Sequence, residues 1–146
     1  MYSNSERSKN FQTHLNNLNS VTKKTPPENT LATLSEMHLE LHNDFKQIES
    51  YVVFNVLPTI IKRFNDNPKV YEKVLEVGND IISKVSIQTF PLILQIIFKE
   101  IDTGAKWKVI YGSLHFLKNY IIRVEVHDKD LLSVSLNDII PVLSHL

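Results

Sequence analysis

Three apolar-proline steps, Leu57-Pro58, Phe90-Pro91 and Ile140-Pro141, each open the same spacing of hydrophobic residues. Counted from the residue before proline, Leu57, Ile60, Ile61 and Phe64 stand at offsets 0, 3, 4 and 7, and Phe90, Ile93, Leu94 and Ile97 repeat them. This is one apolar helix face written twice. The third copy supplies Ile140 and Leu143 and reaches Leu146. Between the copies lie other amphipathic stretches: Val70, Val74, Val77 and Ile81, broadened by Leu75, Ile82 and Val85, and then Trp107, Ile110, Leu114, Leu117, Ile121 and Val124. Helix pairs in tandem predict an all-α fold of the α-solenoid kind, in which each pair buries its face against the next.

The pattern also sets boundaries. Residues 1–29 are rich in Ser, Asn, Thr and Lys and end at Pro26-Pro27, which reads as a disordered polar tail with at most a helical turn around Phe11, Leu15 and Leu18. The repeat domain is then 30–146. Thr30 is positioned to cap a covering helix over about 31–46, carrying Leu34, Leu41, Phe45 and Ile48. A first repeat helix over about 49–65 should kink at Pro58, because proline removes a hydrogen bond and clashes with the preceding turn. Asp66-Asn67-Pro68 is a turn signal, a return helix follows over about 69–83, and the next pair spans about 87–101 and 106–124 across a turn at Asp102-Thr103-Gly104. Asp128-Lys129-Asp130 reads as a polar connection before a last helix over about 136–146. The proline steps of 33 and 50 residues average close to the ~40–47 residues of HEAT or armadillo units, and two helices per unit favour HEAT. About two and a half units are expected. Leu57, Ile61, Phe90, Leu94, Trp107 and Leu114 are the core candidates, with Trp107 at a buried position of its stripe.

Composition narrows the chemistry. Lys+Arg and Asp+Glu are both 16, which removes any global electrostatic case for nucleic acid or anionic membrane. There is no cysteine, hence neither a disulfide framework nor a thiolate metal site. No stretch reaches the roughly 18 apolar residues of a membrane span, and 1–30 lacks a signal-peptide core, so a soluble, cytoplasmic protein is expected. His38 and His42 have the four-residue spacing that can chelate a metal, but no glutamate directly follows His38 and no third ligand is signalled, so no metal is expected. Glu72, Glu76 and Asp80 read as a solvated helix face. With no nucleophile elbow and no isolated carboxylate pair, neither an enzyme nor a cofactor nor a small-molecule substrate is expected.

Phe90-Pro91-Leu92-Ile93-Leu94, then Lys106-Trp107-Lys108-Val109, then Asn137-Asp138-Ile139-Ile140-Pro141-Val142-Leu143-Ser144 resemble the N-terminal HEAT repeats of fungal-type translation elongation factor three and of the related general-control translational activator. The resemblance covers about 52–146. It implies a docking solenoid whose partner is a ribosome, through ribosomal RNA and protein, or another translation component. The family's ATPase chemistry does not carry over, because no Gly-x-x-x-x-Gly-Lys-Ser/Thr loop is present. Lys62, Arg63, Lys99, Lys106, Lys108, Lys118 and Arg123 recur near helix ends and would line up in a stack as a basic strip for phosphates. Ordinary solvation, with cations favoured at helix C-termini, accounts for the same residues. The alternative function is a structural or assembly protein, viral for instance, that forms a homo-oligomer or binds a larger protein through the C-terminal end of the solenoid.

Overall fold

The computed structural model describes residues 4–102 and 106–144. Among the described residues there are eight α-helices: α1 Asn4–Asn19, α2 Pro27–Leu41, α3 Phe45–Tyr51, α4 Leu57–Lys62, α5 Tyr71–Lys84, α6 Phe90–Asp102, α7 Trp107–His127 and α8 Lys129–Leu143. They form two layers. α1, α3 with α4, α6 and α8 make one layer, and α2, α5 and α7 pack behind it. No strand occurs among the described residues.

The polar segment expected to be a tail is a helix instead. α1 buries Phe11, Leu15 and Leu18, and it is held by Arg7, whose side chain is only 2% exposed. Arg7 Nη1 donates to the Asp44 carbonyl (3.1 Å) and to Gln47 Oε1 (2.8 Å), and Nη2 donates to the carbonyls of Glu40 (3.2 Å) and Asn43. A guanidinium buried against carbonyls at the end of α2 is favoured by their partial negative charge. α1 and α2 are therefore a helix pair in their own right. The helix read as a cover belongs to an additional unit, which makes three and a half units.

Two boundaries differ for local reasons. α2 starts at Pro27, whose fixed φ suits the first helical position, while Thr30 lies inside the helix and is buried. The helix ends before Asp44, at φ 44° among the described residues the one non-glycine with positive φ, so Leu41 and Phe45 sit on opposite sides of a turn. α3 runs into α4 through a π-helical turn, Val52–Val56. That wider turn lies directly before Pro58 and absorbs the missing N–H and the ring clash that were expected to kink the helix.

Further along, Asn67 Oδ1 accepts from the Lys69 N–H (3.0 Å) to start the turn into α5, and Asp128 Oδ1 accepts from the Leu131 N–H (3.0 Å), so α8 begins seven residues earlier than its apolar pattern indicates. The expected turn at Thr103-Gly104 and the end at Leu146 lie outside the described residues.

The centre of the stack is an aromatic interlock between α5 and α7. Phe64, in the turn after α4, and Phe116 on α7 pack as a tilted pair with ring centroids 5.1 Å apart. Phe116 lies against the backbone at Gly78, and Phe64 against Gly112. Leu57, Ile61, Phe90 and Leu94 are buried as expected, and Leu114 packs partly buried against the core. Trp107 does not: it is 71% exposed. The buried face of α7 is Val109, Gly112, Ser113, Phe116, Leu117, Tyr120 and Val124, which shares only Leu117 and Val124 with the stripe that begins at Trp107. Small residues at 112 and 113 let the facing ring approach, which is why this face goes inward.

Candidate functional site

In a two-layer stack of antiparallel pairs the turns between first and second helices come to one end. Here that end holds 20–26, 63–70 and the start of α7. Lys23, Lys24, Lys62, Lys69, Lys99 and Lys106 are exposed there. Lys62 and Lys99 line one groove between α4 and α6, about 420 Å³ in volume, together with Phe54, Pro58, Ile96 and Glu100. Each lysine lies near a helix C-terminus, where the local partial charge favours a cation. Among the described residues Lys62, Lys99 and Lys106 enter no ion pair within 4 Å.

On the second layer lies an apolar cleft of about 350 Å³ walled by Phe64, Pro68, Tyr71, Trp107 and Tyr111, with Asp66, Glu72 and Lys108 on its margin. Its rings are arranged in sequence: Phe64 to Tyr71 at 5.2 Å and Tyr71 to Tyr111 at 6.3 Å between centroids. Lys108 Nζ stands 5.9 Å from the Trp107 ring. Two polar atoms here are buried without a hydrogen bond, the Tyr71 hydroxyl and Asp66 Oδ2. Burial pushes the Asp66 carboxyl up, against the pull of Arg63 at 3.5 Å, and burial likewise pushes the Tyr71 phenol up, helped by Tyr111 and Glu72. Lys108 also borders a second depression of about 420 Å³ formed with Lys23 and the 65–70 turn.

The basic strip is therefore shorter than the sequence suggests. Arg63 is turned inward, where its Nη1 donates to the Leu18 carbonyl and pairs with Asp66, tying α1 to the second unit. Arg123 lies at the opposite end, donating to the Ile82 carbonyl with its guanidinium 4.8 Å from the Phe90 ring centroid. Burial lowers its pKa, opposed by Glu49. Lys118 is exposed but lies three turns into α7, about 18 Å along the helix from Lys106. Lys62, Lys99, Lys106 and Lys108 remain at one end. The sequence reading missed the cleft because it places Trp107 in the core; the lysines on both sides of Trp107, Lys106 and Lys108, were the available signal that this ring faces outward.

Across residues 3–146 the chain matches the family described as EF3 N-terminal HEAT repeat. No curated protein and no solved structure matches it.

Proposed function

This chain belongs to the EF3 N-terminal HEAT repeat family, and from that premise we propose that it is a noncatalytic docking module for a ribosome or another translation component. The observation that supports this reading is that Lys62, Lys99, Lys106 and Lys108 lie toward one end of the stack, with Lys108 5.9 Å from the exposed ring of Trp107. Lysines that enter no ion pair among the described residues are available to phosphates, and an exposed aromatic next to Lys106 and Lys108 in the chain offers a stacking face. The reading includes a cytoplasmic location.

The test is sedimentation of the tagged protein through a sucrose gradient of lysate at low and at moderate salt. Cosedimentation with ribosomes that weakens as salt rises, and that Lys62→Glu/Lys99→Glu/Lys106→Glu abolishes while Lys118→Glu does not, supports the proposal. No ribosome association at low salt by a folded protein overturns it, as does association indifferent to the triple substitution.

An assembly role draws on a different surface. Ile122, Val126, Val134 and Ile140 are exposed on α7 and α8, between 49% and 73%. Sedimentation velocity at high micromolar concentration reads this out directly, and a strict monomer rules out self-assembly through that face.

A further inference from the structure

We propose that His38, His42 and Asp80 form a binding site for a transition-metal dication of the zinc type, stapling α2 to α5. The two histidines lie one helical turn apart on α2, and Asp80 faces them from α5, supplying the third ligand that the histidine spacing alone does not indicate. His38 Nε2 is 3.0 Å from Asp80 Oδ2, and His42 Nδ1 is 3.7 Å from the same oxygen. One ligand atom from each residue falls within 4.8 Å of the others. Tetrahedral zinc with bonds near 2.0–2.2 Å separates its ligands by about 3.3 Å, so small rotations of the two rings complete the coordination and leave the fourth position to water. Imidazole and carboxylate together select zinc-class ions over Mg²⁺ and Ca²⁺, which take oxygen ligands.

A second feature points the same way. Glu76, one turn before Asp80, puts Oε1 3.7 Å from His38 Nδ1, the ring nitrogen opposite the one that faces Asp80. A carboxylate on the far nitrogen of a ligating histidine sets its tautomer and raises its basicity. The carboxylate rhythm of α5 is therefore divided: Glu72 and Glu76 are both exposed, but Glu76 and the half-buried Asp80 also lie against the histidines.

The position between Asp80 and His42 is already a cation site, filled by the Lys84 ammonium. Its Nζ lies 3.1 Å from Asp80 Oδ2 and contacts His42 Nδ1. Lys73 Nζ, 3.1 Å from His38 Nδ1, is also 3.4 Å from Glu76 Oε2 and pairs with that carboxylate when the ring takes the metal-binding tautomer. Metal entry thus requires Lys84 to swing to solvent. The lysine is a built-in competitor for the metal.

The test uses the untagged chain, since a histidine tag would mask the result, titrated with ZnCl₂ by calorimetry and followed by thermal melting. Saturable binding of about one equivalent is expected, with Tm rising several degrees when free Zn²⁺ reaches about 100 times Kd, and no response to Mg²⁺. His42 is more than half exposed, so His42→Ala folds; it should weaken binding at least about tenfold, the lower bound of what even outer-sphere partners cost. Lys84→Gln should tighten it at least about threefold, because an ammonium a few ångströms away repels a dication even at the dielectric of water. Absence of one-equivalent binding, or binding unchanged by His42→Ala in a folded variant, or no tightening in Lys84→Gln, overturns the proposal.

Discussion

Replacing Gly78 by alanine tests the centre of the stack. In an exposed helix interior this change stabilises by about 1 kcal/mol through helix propensity. At Gly78 the added methyl carbon would stand 2.0 Å from Phe116 Cζ and 2.5 Å from Cε1, where ordinary contact begins at 3.4 Å. The Phe116 ring is fully buried and has nowhere to retreat, since the tilted Phe64 ring packs on it and itself rests on the backbone at Gly112. Overpacking of a locked core costs up to about 3 kcal/mol. The steric term wins, leaving a net loss of about 2 kcal/mol. For a chain of 146 residues that lowers Tm by about 6 °C, read by circular dichroism or calorimetry. Shortening the ring in the same background, Gly78→Ala with Phe116→Leu, should recover stability beyond additivity by at least about 1 kcal/mol in a double-mutant cycle. A Gly78→Ala protein that melts at or above the parent temperature would refute the seating of Phe116 on α5, and with it the register of α5 on α7.

Trp107→Ala should change stability by less than about 1 kcal/mol, because the ring is 71% exposed, yet weaken ribosome cosedimentation; a loss of about 3–5 kcal/mol would return the residue to the core. Arg7→Ala should cost about 3 kcal/mol by breaking charge-assisted hydrogen bonds to buried carbonyls, with hydrogen-exchange protection lost first in α1. Glu49 Oε1 accepts from the Ser86 N–H (2.7 Å), the Ser86 hydroxyl (2.7 Å) and the Thr89 hydroxyl (2.9 Å). Burial alone would raise the Glu49 pKa, but these donors, with Lys46, bring it below the ordinary 4.5. A depressed folded pKa means that the stabilisation is complete above the unfolded value and is lost as pH falls through the folded one. The stability advantage of the parent over Glu49→Gln should therefore hold at neutral pH and shrink progressively as pH falls below the ordinary 4.5 and through the lower folded value, as urea unfolding across pH will show.

Much of this architecture is written in periodicity. The Leu57 and Phe90 faces can be read directly, because each proline step fixes where an apolar stripe begins and both stripes go to the core. α7 is harder, since two stripes share Leu117 and Val124. The inward one is marked by Gly112 and Ser113, which hydrophobicity counts as gaps and packing uses as seats. α1 was not legible for a different reason: its anchor is a cation, and the carbonyls that satisfy Arg7 lie 33 to 37 residues away in the chain. The same limit applies at the functional end. Helix-end lysines can be seen in sequence, but which arginines turn inward depends on carbonyls such as those of Leu18 and Ile82, brought near only by the fold.

The buried Arg7 also orders events in time. During synthesis α1 is made before the 40–44 turn that receives its guanidinium, and at about 5–20 residues per second that turn follows some 2–7 s later. A strongly apolar first helix would spend those seconds seeking any greasy surface within reach. A polar one, whose Arg7 is fastened only when that turn arrives, waits in water without harm.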